Sequence, residues 1–131
     1  MKLFFDEDTG VKVPKALRLV GFSVSWVGSR SGAGVGKGTQ DEDWIPVVGR
    51  KNWLLFSCNK GILQAEAQKN LLISHKVGAV FLTTGQERSP DILYLILRKR
   101  KWLEKIDAEV ERPFAFMITI TGRIKQIDLG T

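Results

Sequence analysis

Residues 1–8 read Met1-Lys2-Leu3-Phe4-Phe5-Asp6-Glu7-Asp8. Lys2 to Phe5 is a short apolar run with two aromatics, the pattern of a buried strand rather than of a half-exposed, alternating one. It stops at three acids. A strand ending in carboxylates at the edge of an α/β sheet puts oxygen ligands into the crevice where such sheets take their ligands. What else the chain brings to Asp6 then decides the chemistry.

Outward from that strand, Thr9 to Val20 carries Val13, Ala16, Leu17 and Val20 at helical spacing. Pro14 fits only a first turn and Gly21 fits a C-terminal cap. Phe22 to Val27 alternates as a strand, and Gly28 to Gln40 is a glycine- and serine-rich basic loop holding Arg30 and Lys37. Asp41-Glu42-Asp43 opens a short helix to about Arg50, its acids suited to the helix dipole and its length limited by Pro46. Trp53 to Ser57 is the next buried strand, and Cys58 to Gly61 a turn. Ile62 to Ile73 reads as one helix with Leu63, Ala67 and Leu71 on a face, and Ala79 to Leu82 as a strand. Ser89-Pro90-Asp91 starts a helix with Ser89 as its N-cap, an apolar stripe of Ile92, Leu93, Ile96 and Leu97, and a basic run over 98–101. Phe114 to Thr121 and Arg123 to Leu129 are two strands joined at Gly122. Helices alternating with strands, then a closing strand pair, predict a three-layer α/β/α sandwich with a mainly parallel sheet and a C-terminal β-hairpin.

The 131 residues, 44% of them hydrophobic, suffice for one compact domain over 1–131. No apolar run is long enough to cross a membrane, and the acidic N-terminus is neither a secretory signal nor a transit peptide. One cysteine, Cys58, leaves no internal disulfide and fits a cytoplasmic location. A net charge of +6 that coexists with an acidic cluster suggests a polyanion held around a metal site.

The first strand ends at Asp6, the third at Ser57-Cys58-Asn59, and between them Asp41 and Asp43 stand at a helix start. If the first strand is central, these ends meet on one side of the sheet. Oxygen side chains converging there suit Mg²⁺ or Mn²⁺. Taken singly, each acid is as well explained as a cap or a solvated turn. One cysteine and one histidine, His75, exclude a zinc set and a Ser-His-Asp triad. A divalent ion on such a site hydrolyses phosphodiesters by activating water and neutralising the leaving oxygen. Ser31-Gly-Ala-Gly-Val-Gly-Lys37-Gly38-Thr39 imitates a nucleotide-binding P-loop but lacks its first glycine and the hydroxyl directly after the lysine.

The opening Leu-Phe-Phe-Asp-Glu-Asp, then Ala-Leu-Arg-Leu-Val-Gly-Phe-Ser-Val, Asp41-Glu-Asp-Trp-Ile-Pro and Trp-Leu-Leu-Phe-Ser-Cys-Asn-Lys-Gly-Ile together resemble a PIN-like domain. The closing Phe-Met-Ile-Thr-Ile-Thr-Gly-Arg-Ile extends the likeness, which is strongest to VapC-type toxins of bacterial toxin–antitoxin pairs. The resemblance implies a metal-dependent endoribonuclease with a four-acid site. Asp6 matches the acid after the first strand. Asp41, with Asp43 as a rival, matches the second, and Asn59 stands where an Asp is expected; Glu66 is the weak candidate for the fourth. It implies Mg²⁺ or Mn²⁺ on Asp6, Asp41 and Asn59, an RNA substrate, a cognate antitoxin, and room for a homodimer. Asn59 lowers the charge available to a cation, as in a naturally weak nuclease or in a toxin inactivated by design. The second is preferred because the rest of the motif is intact. Arg30, Lys37, Lys60, Arg98, Arg100 and Lys101 are the expected RNA contacts, against the plain alternative of solvated basic faces. Trp44, beside Asp43, is a further candidate for the site's wall. The competing readings are a non-catalytic RNA- or protein-binding module on the same fold, and a receiver-like phospho-acceptor domain, which Asn59 fits badly.

Overall fold

A computed structural model describes residues 1–28, 40–83 and 88–130. Arg30, Lys37 and the P-loop-like stretch lie outside these residues. The described chain forms six strands: β1 (Leu3–Phe5), β2 (Val24–Trp26), β3 (Leu54–Ser57), β4 (Gly78–Leu82), β5 (Phe114–Ile118) and β6 (Ile124–Ile127). Six α-helices connect them: α1 (Lys12–Leu19), α2 (Asp41–Lys51), α3 (Gly61–Gln64), α4 (Glu66–Ser74), α5 (Ser89–Arg98) and α6 (Arg100–Glu109). The sheet order is β2-β1-β3-β4-β5-β6, parallel throughout except for the antiparallel β5–β6 hairpin.

Side chains alternate across each strand, so every strand feeds two cores. Leu3, Phe5, Leu54, Phe56, Val80 and Phe116 pack beneath α1, α5 and α6. Phe4, Leu55, Ala79, Phe81 and Ala115 pack beneath α2, α3 and α4. Burial on both faces explains why β1, β3 and β4 read as unbroken apolar runs. The architecture is the expected three-layer α/β/α sandwich. The order reverses at β1: the chain leaves it sideways to β2, then returns past it to β3. A switch point of this kind opens a crevice at the carboxyl ends of the two strands.

Helix α2 ends within a residue of the expected Arg50, and the later helices differ from the sequence expectation in three places. Pro46 sits at the sixth position of α2 and removes one backbone bond, yet the helix runs on to Lys51. The proline costs about 3 kcal/mol, and burial of Trp44, Ile45 and Val48 returns roughly 1.5–3 kcal/mol each. The stretch 62–73 is broken at Ala65, whose ψ is 113°. Ile62 in α3 and Leu72 in α4 are both buried, while Ala67 of the expected apolar face is exposed. The N-cap of α5 is Arg88, with Ser89 already in the first turn. The basic run is divided at Lys99 between α5 and α6, and the buried stripe of α5 is Ile92, Leu95 and Ile96, with Leu97 42% exposed. Past α1, the Gly21 N–H bonds Arg18 O and the Phe22 N–H bonds Leu17 O, with Gly21 at φ 101° as this closing turn requires.

Candidate functional site

The register pairs Phe5 with Phe56, so the next residues, Asp6 and Ser57, come face to face at the switch point. Asp6 is 2% exposed and Ser57 fully buried. The Ser57 hydroxyl donates to Asp6 Oδ2. Asp6 Oδ1 accepts from the Thr9 amide at 3.3 Å and the Thr9 hydroxyl at 3.0 Å, which caps a short 3₁₀ turn over Glu7–Thr9. A carboxylate removed from water needs such donors. Here they also fix its orientation, one from each flanking segment.

Ser57 Oγ accepts from the Asn59 amide at 2.9 Å, which ties the β3–α3 turn to the same carboxylate. Asn59 Oδ1 accepts from the Gly61 amide at 3.0 Å, a local side-chain turn that starts α3. An aspartate at 59 makes that turn equally well and adds a charge. Asp41 opens α2, and its Oδ1 accepts from Trp44 Nε1 at 3.0 Å. Trp44 is buried against Phe4, ring centroids 5.5 Å apart, so Asp41 is anchored through an aromatic pair to β1. Asp43 is exposed in the same first turn.

The structure thus links Asp6 to Asn59 through Ser57, and it stations Asp41 at the start of the helix that follows β2. It does not assemble Asp6, Asp41 and Asp43 as a carboxylate cluster: among the described residues no group of three or more His, Cys, Asp or Glu side chains could hold a metal ion. Glu66 begins α4 and is exposed. Asp6 and Asp41 are oriented carboxylates that already accept hydrogen bonds, and the neutral Asn59 amide oxygen is engaged by the Gly61 N–H. Oxygen donors are the kind that Mg²⁺ and Mn²⁺ prefer, and only two of these three side chains can carry charge.

Asp6 also lines a groove of about 870 Å³ between α1 and the β2 end of the sheet, with Glu7, Lys15, Arg18, Leu19 and Trp26 among its walls. Lys60, Arg98, Arg100 and Lys101 are not among the described residues that line it. Lys60 is exposed beside Asn59. Arg98 donates to Thr121 O at 3.0 Å, Arg100 pairs with Glu104 at 3.0 Å on an exposed face, and Lys101 is exposed. Sequence reading missed Lys15 and Arg18. Their signal is the spacing of Lys15, Arg18 and Leu19 on the exposed side of α1, away from the buried Val13 and Leu17.

A protein-family model described as a PIN like domain matches residues 1–84, which span β1 to β4 and contain Asp6, Asp41, Asp43 and Asn59. No curated protein and no solved structure matches the chain.

Proposed function

Because the chain belongs to the PIN-like domain family, a nuclease-type fold, we propose that it is an endoribonuclease, the toxin of a type II toxin–antitoxin pair, and that residues 1–131 act as one domain. The observation that carries the reading is Asp6: a buried carboxylate at the carboxyl end of β1, oriented by Ser57 of β3 and by Thr9, that also lines the groove between α1 and the β2 end of the sheet. Asp6 and Asp41 would hold Mg²⁺ or Mn²⁺, with Asn59 supplying an uncharged third oxygen. Bound there, the ion would supply an activated water and charge neutralisation at a phosphodiester. Ser57 and Thr9 keep the Asp6 carboxylate from turning back toward solvent. Trp44 does the same for Asp41. The family's fourth acid has no clear counterpart in this chain.

Asn59 supports the second reading, a non-catalytic RNA- or protein-binding module, since its side-chain oxygen is engaged by its own turn. The two readings separate in one assay. Single-stranded RNA is incubated with Mn²⁺ or Mg²⁺, with and without a chelator, for the unsubstituted chain, Asp6→Asn and Asn59→Asp. The nuclease reading expects chelator-sensitive cleavage that is faster in Asn59→Asp and absent in Asp6→Asn. Cleavage indifferent to Asp6→Asn, or none even with Asn59→Asp, refutes it. Among the described residues no helix is long and apolar enough to cross a membrane. We place the toxin in the cytoplasm, restrained by a cognate antitoxin. Dimerisation is measurable by sedimentation of the purified chain.

A further inference from the structure

The groove at Asp6 is bipolar. Asp6 and Glu7 stand at the end where β1 gives way to α1, while Lys15 and Arg18 stand one and two turns further along the helix. Between them the wall is apolar: Val11, Leu19 and Trp26. Its volume is that of a small-molecule site, and its mixture of apolar wall and a few oriented polar groups is the usual make-up of one.

Arg18 is held in a defined pose within this groove. Its guanidinium lies over the Trp26 ring, 4.3 Å from the centroid, and its Nη2 donates to Val24 O at 2.8 Å. Trp26 itself is 7% exposed, so the aromatic face is presented to the groove through the guanidinium that covers it. A guanidinium plane is a surface on which an unstacked nucleobase lies well, and a cation that takes a phosphate.

We propose that Arg18, backed by Trp26, is the platform for one unpaired nucleobase of a single-stranded nucleic acid, and that Lys15 holds the phosphate beside it. This rests on the nuclease reading only in naming Asp6 as the reacting end. The platform makes this groove, rather than the basic run of α5 and α6, the place where the substrate is registered against Asp6. A duplex cannot present a base in this way, so the site selects single strands.

The test is a binding measurement without metal, so no cleavage intervenes. Fluorescence anisotropy follows a labelled single-stranded RNA octamer, and the same octamer with one abasic position scanned along it, on the unsubstituted chain, Arg18→Lys and Lys15→Ala. Arg18→Lys keeps the charge and removes the plane. It is expected to weaken the intact octamer about tenfold while leaving unchanged the octamer that is abasic at the platform position. Lys15→Ala is expected to lower the salt slope of log K by about 0.7 for both. Thermal unfolding reports whether each variant is folded, and Arg18→Gln supplies a second planar but uncharged group should Arg18→Lys be unstable. The proposal is overturned if the loss in Arg18→Lys is the same with every abasic octamer, if duplex RNA binds as tightly as single strands, or if an acidic peptide and not RNA saturates the groove. Cleavage in the separate Mn²⁺ or Mg²⁺ assay with no platform effect here sinks this inference alone; a platform effect here with no cleavage there, even by Asn59→Asp, sinks the nuclease reading alone.

Discussion

Ser57→Ala is the perturbation that probes the centre of the fold and the site together. The Ser57 hydroxyl donates to Asp6 and accepts from the Asn59 amide at 2.9 Å, in a position with no exposure to water. A hydrogen bond to a charged group contributes about 1.5–3 kcal/mol, and a neutral backbone bond about 0.5–1.5 kcal/mol. The Asn59 end is half-buried and water can replace part of the second term. The net loss is therefore about 2–3 kcal/mol, most of it from the carboxylate left one donor short. For a chain of 131 residues each kcal/mol lowers Tm by about 3–5 °C, so a fall of about 6–15 °C is expected. Circular dichroism melts of the unsubstituted chain, Ser57→Ala, Asp6→Asn and the double variant form a cycle. Because the two side chains touch, the double variant is expected to lose at least about 0.5 kcal/mol less than the sum of the singles. A Ser57→Ala cost under about 0.5 kcal/mol, or strict additivity, refutes the coupling of β1 and β3 through this pair.

Gly49→Ala is expected to destabilise although alanine is the better helix former. A Cβ at Gly49 runs into the backbone carbonyl of His75, where α4 ends. The propensity gain of about 1 kcal/mol is outweighed by overpacking of about 1–3 kcal/mol that a backbone atom cannot relieve; an unchanged or higher Tm contradicts the close approach of α2 and α4. Neutralising Arg98, Arg100 and Lys101 together by alanine is expected to flatten the salt dependence of single-stranded RNA binding by up to about two units of slope if they touch phosphates, measured by anisotropy between low and moderate salt. An unchanged slope makes them a solvated face, as the Arg100–Glu104 pair already suggests for one of them. Arg112→Leu is expected to cost about 2–4 kcal/mol in a urea melt, because it strips Asp107 of a partner at 2.7 Å in a pair only 10% and 19% exposed; a loss below about 1 kcal/mol contradicts a structural role for that ion pair.

Much of the fold was legible because its strands are buried on both faces. Leu3 to Phe5, Leu54 to Phe56 and Ala79 to Leu82 are apolar at every position, a pattern that ambiguous periodicity does not blur. Gly21 and Gly122 mark turns by their positive φ. Helix interiors were less legible because packing overrides local preference. Pro46 is tolerated for the sake of the aromatic and aliphatic residues around it, and Ala65, a strong helix former, is extended between α3 and α4. In the site, Asp6, Asp41 and Asn59 stood out as polar residues at element ends. Ser57 did not, since a serine at a strand end carries no signal until the register sets it opposite Asp6. Lys15 and Arg18 were hidden for a related reason: they are ordinary helix-surface cations until β2 is laid beside α1 and a wall of Trp26 is supplied. The sequence favoured Asp41 with Asp43 as a close rival, and in the structure the Trp44 indole N–H engages Asp41 while Asp43 is exposed.

Calorimetric titration of Mn²⁺ into the unsubstituted chain, Asn59→Asp and Asp6→Asn bears most directly on whether the crevice between β1 and β3 is a divalent-cation site. The account predicts weak saturable binding by the unsubstituted chain, binding at least about tenfold tighter in Asn59→Asp, since the added carboxylate supplies the missing charge, and no binding in Asp6→Asn. Identical heats for all three, or binding retained without the Asp6 carboxylate, would contradict it.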